Sequence, residues 1–128
     1  HEAMKISHER LAFSKGTSNN QVQVTCALGN TLKTVTLASQ SWTTWNLFVL
    51  TVSKTADQMI VYQNGAQAGT TQTSLGTVSG DALSNTGCNV GATSTTPTNP
   101  FSGWLANAAI WNRPLTATEV ANLYAWGV

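Results

Sequence analysis

Five carboxylates, Glu2, Glu9, Asp57, Asp81 and Glu119, are all the acid chemistry that this chain of 128 residues possesses. Hydrolysing a glycosidic bond takes two carboxyl groups facing each other across the sugar, one as acid and one as base or nucleophile. No Glu-x-Asp-x-x-Glu cluster exists here. Asp57 sits in a turn-forming Lys-Thr-Ala-Asp run, and Glu119 stands three residues after Thr116, where helix capping uses it. His1 and His8 lie together near one end as ordinary surface residues, and no Ser/His/Asp arrangement is suggested. The expectation is a protein that is not an enzyme. A hard cation wants roughly six to eight oxygens, several of them from carboxylates. Asp81, Asn85 and Asn89 could offer oxygens from one loop, but a lone carboxylate among amides reads better as a polar turn. No metal and no other cofactor is expected.

Five tryptophans are the other chemical resource. The apolar face of a pyranose packs on an indole much as other apolar rings do. Trp45 and Trp111 fall in strand patterns and Trp126 follows a helical stripe, which assigns these three to packing. Trp42, in a Ser-Gln-Ser-Trp-Thr-Thr setting, and Trp104, beside Gly103, are the candidates for exposure. Together with Asp81, Asn85 and Asn89 they make up the candidate ligand-binding set.

Composition limits the partners. Charged residues make up only 9 % of the chain and the formal net charge is +1, against roughly 25 % charged residues in an ordinary soluble protein. Six scattered basic residues provide no field that would steer a phosphate backbone, so nucleic acid is not an expected partner. The longest apolar run, Leu47-Phe48-Val49-Leu50, falls far short of the ~20 residues that span a bilayer, and membrane insertion is not expected either. Cys26 and Cys88 have no metal-ligand spacing. They read either as two buried small hydrophobes or as one disulfide closing a long loop, worth roughly 4 kcal/mol in the chain-entropy model and implying an oxidising compartment.

The elements that would position these residues are mostly strands. Residues 21–28 alternate strictly, placing Val22, Val24, Cys26 and Leu28 on one face, and Gly29-Asn30 turns the chain into a second alternating run over 31–37. Leu32 is out of phase with Val35 and Leu37, which marks that second strand as an edge strand or a small bulge. Residues 45–52 are apolar on both faces, which predicts a strand at the centre of a sheet. A strand over 58–63 follows, then Asn64-Gly65, the strongest hairpin signal in the chain, and a short return over 66–70. The Thr/Ser/Gly/Asn-rich stretch from 71 to 99 carries brief β-like islands at 75–78 and 89–91, and residues 101–111 regain strand character. One helix is announced by Thr116-Ala117-Thr118-Glu119, a capping box. Leu115 and Val120 form a hydrophobic staple across it, Val120, Leu123 and Tyr124 an apolar stripe, and Gly127 a stop.

The order of these motifs carries a resemblance. Trp45 and the apolar run after it lead to Ile60-Val61-Tyr62-Gln63-Asn64-Gly65, then Asn89-Val90-Gly91, then Phe101-x-Gly103-Trp104-Leu105. The series closes with Ile110-Trp111-Asn112-Arg113-Pro114-Leu115-Thr116-x-x-Glu119-Val120-x-x-Leu123-Tyr124. It resembles the laminin-G-like or concanavalin A-like jelly-roll family over about two thirds of the chain. The resemblance implies an all-β fold: a two-sheet antiparallel jelly-roll sandwich with one short C-terminal helix, a single domain over residues 1–128. Asn107 stands where the family usually has an acidic residue. Family members run to roughly 150–200 residues, the usual size of a large two-sheet sandwich, so the domain is expected to be N-terminally incomplete. The start at His1 rather than Met adds the expectation of a leader, a longer precursor or a neighbouring domain outside this numbering.

Two functions are compatible with these readings. One is a non-catalytic glycan-binding or adhesion module on an extracellular or virion surface, where uncharged hydrogen-bonding side chains meet a neutral glycan. The other is a structural subunit or decoration module of a larger assembly, such as a virion, a phage appendage or a cell-surface fibre, in which the same polar faces meet neighbouring protein subunits.

Overall fold

The computed structural model describes residues 10–18, 20–77, 90–91 and 101–127. Among them the chain forms β1 (Arg10–Lys15), β2 (Val22–Leu28), β3 (Thr31–Leu37), β4 (Phe48–Ser53), β5 (Gln58–Gln63), β6 (Ala66–Gln67), β7 (Gln72–Thr73) and α1 (Ala117–Ala125). One antiparallel sheet has the order β1-β2-β3; the other has the order β4-β5-β6, with β7 also pairing β5. The two-sheet antiparallel architecture with one C-terminal helix is therefore the one that the alternation and the capping box predict.

The first hairpin follows the sequence pattern closely. Leu28 pairs with Thr31 across Gly29-Asn30, and the register runs unbroken to Val22 opposite Leu37. Period-2 alternation sends Val22, Val24, Cys26 and Leu28 of β2 inward with Val35 and Leu37 of β3. Leu32 points the other way and stays exposed, the register carries no bulge, and β3 is an edge strand among the described strands. Cys26, only 1 % exposed, occupies the core as a small hydrophobe would; Cys88 lies outside the described residues.

The second sheet faces this one with Met59 and Val61 of β5, Leu75, and the partly buried Phe48, Leu50 and Val52 of β4. Its rear face carries Val49 and Tyr62, which pack with Leu115 and Val120 beside and within α1, joined by Leu47, Ile60 and Leu123. The molecule is thus layered as sheet, sheet and helix. This arrangement corrects one expectation. Of the strand predicted over residues 45–52, the part that forms, β4, is covered on both faces, but among the described strands it is not central: β4 pairs only with β5, and β5 is the middle strand. A helix on the second face produces the same two-sided apolar signature as a central position.

Asn64-Gly65 forms the tight turn expected of it. Both residues have positive φ, 52° and 83°, as a type I′ turn demands. A Cβ on Gly65 would also sit 3.0 Å from Cβ of Tyr124, so glycine lets α1 close onto the hairpin. The return strand expected over 66–70 is interrupted: β6 pairs with Tyr62 and Gln63, the register then steps by two residues, and β7 resumes opposite Gln58 and Met59. Gly69, at φ +75°, fills the gap beneath Val35 of the facing sheet, where a Cβ would come within 2.5 Å of a Val35 methyl. Leu75 is fully buried but not in a strand, Val78 lies outside the described residues, and of the island at 89–91 only Val90 and Gly91 are described, as a bend. Asp57, read as a turn residue, does more than turn. Its carboxylate accepts from the amides of Ser74 and Leu75 at 2.9 and 3.0 Å and so fastens Leu75 beneath the β4–β5 turn. The bond from Leu75, aided by that from Ser74 and by Lys54, holds the Asp57 carboxyl below its ordinary range.

The helix begins as its sequence dictates. Thr116 is the N-cap, its hydroxyl accepts from the Glu119 amide at 3.2 Å, and the Glu119 carboxylate accepts from the Thr116 amide at 2.8 Å. Leu115 and Val120 flank the cap and are both buried, completing the staple. Gly127, with φ +74°, ends the helix and donates to the Tyr124 carbonyl. Thr116→Ala should therefore cost about 1 kcal/mol, read as a lower midpoint in chemical denaturation; an unchanged midpoint would remove the cap from the list of stabilising features.

The strand expected over 101–111 does not form. Residues 101–110 are exposed throughout, and the only backbone–backbone hydrogen bond they make among the described residues runs from the Phe101 amide to the Gly91 carbonyl. A strand exists only where a neighbour supplies ladder partners, and no described strand lies alongside.

Candidate functional site

The connection between β3 and β4 is held by side-chain amides. Asn46 donates from Nδ2 to the carbonyls of Ser41 and Thr44, each at 3.1 Å, curling the loop around itself. Its Oδ1 accepts from Gln63 at 3.0 Å and Asn64 at 3.1 Å, and Gln63 also donates to Gln40 at 2.6 Å. Asn64 Oδ1 accepts from the Leu47 amide at 2.9 Å, while the Asn64 amide donates to the Leu47 carbonyl. Four amide side chains thus tie the loop to the Asn64-Gly65 turn, and α1 braces that turn from behind through Tyr124.

This scaffold displays two tryptophans, Trp42 and Trp45, three residues apart and 49 % and 70 % exposed. Trp42 is where the polar neighbours predicted an exposed indole. Trp45 corrects the packing assignment made from the strand pattern: β4 starts only at Phe48, because Asn46 and Leu47 give their hydrogen bonds to the loop and to Asn64 rather than to a ladder. The polar residues before Asn46 are the signal in the sequence that could have found this, since an Asn that follows a Ser- and Thr-rich stretch competes with strand pairing for backbone groups.

Trp104 is 87 % exposed in the 101–110 segment, where the Phe101 ring lies over Gly103. Trp42 and Trp104 therefore occupy separate settings. Asp81, Asn85 and Asn89 lie outside the described residues, and among the described residues no three His, Cys, Asp or Glu side chains group as metal ligands. No helix among the described residues is long and apolar enough to cross a membrane.

The remaining two tryptophans also depart from the core assignment. Trp111, which stands outside any strand, is 44 % exposed, and Trp126, the C-cap of α1, is 73 % exposed, one step past the turn that Val120 and Leu123 bury. They flank an open groove of about 220 Å³ whose other lining residues are Arg113, Leu115, Glu119, Asn122 and Leu123. Across it Arg113 donates to both Glu119 carboxylate oxygens, at 2.9 and 2.7 Å. That pairing, with the Thr116 amide, lowers the Glu119 carboxyl to about 2, and Glu119 in turn raises the Arg113 guanidinium above its ordinary value. The two charges cancel at physiological pH.

Comparison with known proteins agrees with the fold. A crystal structure of an S-layer domain-containing protein (residues 221–444) from Clostridium thermocellum ATCC 27405 is similar, at 18 % sequence identity and a TM-score of 0.56. The match covers 91 % of this chain and 63 % of that one, so the present chain spans less than two thirds of the solved structure. No curated protein matches. The family model described as the concanavalin A-like lectin/glucanases superfamily matches residues 6–121. Sandwich topology, tight turn, capped C-terminal helix and family match coincide, and the chain belongs to the concanavalin A-like lectin/glucanase superfamily.

Proposed function

We propose that this domain is a non-catalytic module that binds neutral glycans at a cell surface. The observation carrying the reading is the Trp42–Trp45 loop: two exposed indoles on a turn made rigid by amide hydrogen bonds that need no ligand. Preorganisation of this kind lowers the cost of ordering a binding loop. The scarcity of charge around it suits uncharged hydroxyls, and sugar rings stack on indoles. A surface setting is supported by the likeness of the fold to an S-layer domain-containing protein. The test is intrinsic fluorescence against a panel of neutral polysaccharides. At least one should perturb the emission of the native chain, and Trp42→Ala with Trp45→Ala should weaken its binding at least tenfold, equivalent to about 1.4 kcal/mol. Equal binding by the double variant would end the assignment of the loop.

A second reading, a structural module that meets neighbouring subunits, is favoured by a different observation: the exposed apolar side chains Phe101, Trp104, Leu105 and Ile110 on a segment with almost no backbone partners among the described residues. The two roles use different residues and are compatible in an adhesive assembly.

A further inference from the structure

We propose that the groove between Trp111 and Trp126 is a second carbohydrate subsite, sized for a single uncharged pyranose; this rests on the glycan-binding reading of the domain.

Size, walls and polarity each point to that ligand. At about 220 Å³ the groove is smaller than the roughly 300–1,000 Å³ of pockets that hold drug-sized molecules, which leaves room for one ring. Two indoles and the Leu115 and Leu123 side chains supply apolar lining for a sugar face. The polar edge is electrically neutral, because Arg113 and Glu119 are locked to each other in a bidentate pair. A carboxylated or sulfated sugar would have to break that pair to be recognised, whereas hydroxyls can use what it leaves over. One further guanidinium N–H reaches the Pro114 carbonyl at 3.4 Å, which leaves Nε and one Nη2 hydrogen of its five N–H groups for a ligand, and the Asn122 side-chain amide makes no hydrogen bond among the described residues. Donors and an acceptor thus line the same groove as the stacking surfaces. The groove is also held in place from outside the ligand. The Thr116–Glu119 capping box fixes Glu119, Glu119 fixes Arg113, and burial of Leu115 and Val120 fixes the entry and first turn of the helix. A short exposed helix end becomes a shaped surface.

The experiment uses the full 128-residue chain labelled with ¹⁵N. The indole N–H resonances of the tryptophans are assigned by single Trp→Phe variants, and methyl β-glucopyranoside, methyl β-galactopyranoside, N-acetylglucosamine, glucuronate and cyclohexanol are titrated separately. The expected result is that at least one neutral sugar shifts the Trp111 and Trp126 resonances together. That response should weaken at least fivefold in Asn122→Ala, vanish in Trp126→Ala, and persist in Trp42→Ala/Trp45→Ala. Glucuronate should bind more weakly than the matched neutral sugar. If sugars shift Trp42 and Trp45 but leave Trp111 and Trp126 unmoved, the subsite is refuted while the glycan-binding reading stands. If no tryptophan responds to any of these sugars, the subsite is refuted, and the glycan-binding reading falls with it only if the polysaccharide panel also leaves the fluorescence unchanged. If cyclohexanol shifts Trp111 and Trp126 as strongly as the best sugar, the groove is an apolar crevice without sugar recognition and the proposal is again refuted.

Discussion

Met59→Ala should destabilise the domain by about 2–5 kcal/mol, a large part of the roughly 5–15 kcal/mol that holds a typical domain folded. Met59 is fully buried in the layer where the two sheets meet, among Val24, Val61 and Leu75, which are themselves almost completely buried. It also sits on the middle strand, paired with Val52 of β4 on one side and Gln72 of β7 on the other. Relaxation into the space left by alanine would have to move three strands at once, so much of the cavity should persist. Met59→Leu keeps the volume and should cost less than about 1.5 kcal/mol. Urea denaturation of both variants is the check. Equal shifts for the two would mean that the sheets do not pack through Met59 as described.

The second large effect concerns residues 101–110. The chain expressed alone should self-associate reversibly in sedimentation velocity, and Leu105→Ser combined with Ile110→Ser should shift it toward monomer, weakening association at least about tenfold. Trp104 and Ile110 are 87 % and 85 % exposed, with Phe101 and Leu105 about half exposed. Four large apolar side chains exposed within ten residues mark a contact surface. Its backbone adds to the demand, since almost none of its amides and carbonyls has a partner among the described residues. The side of β4 away from β5 has no partner among the described residues, and none of Phe48–Ser53 carries a charge that would discourage pairing. A strict monomer across a wide concentration range would remove the structural-module reading and leave glycan binding alone.

The hairpins and the helix were legible in the sequence because each is decided by a few adjacent residues. Asn64-Gly65 needs only two left-handed backbone conformations, and the Thr116–Glu119 cap closes within one turn. The place of β4 was not legible, because a strand covered by a sheet in front and a helix behind has the same composition as one in mid-sheet. The segment 101–111 misled for a related reason: apolar alternation states a preference, while the ladder depends on a neighbour that the local sequence does not contain. Of the candidate site, Trp42 was found through its Ser and Thr neighbours. Trp45 was missed because the apolar pattern of β4 was extended three residues too far back, across an Asn whose side chain organises the loop. Trp111 and Trp126 gave no local sign of exposure: Trp111 shares the apolar alternation of a segment that forms no strand, and Trp126 continues a helical stripe past the end of α1.

The order of the layers along the chain governs how the protein is made. Val49 and Tyr62 belong to the sheet, yet the residues that cover them, Leu115 and Val120, come on the order of 60 residues later. At about 5–20 residues per second of synthesis, the rear of the sheet faces water for several seconds after its strands have left the ribosome. Both hairpins can close during that wait, because their partners are adjacent in sequence. The helix is therefore a late cover for the rear of β4 and β5, and that face stays open to misassociation until the helix has been made.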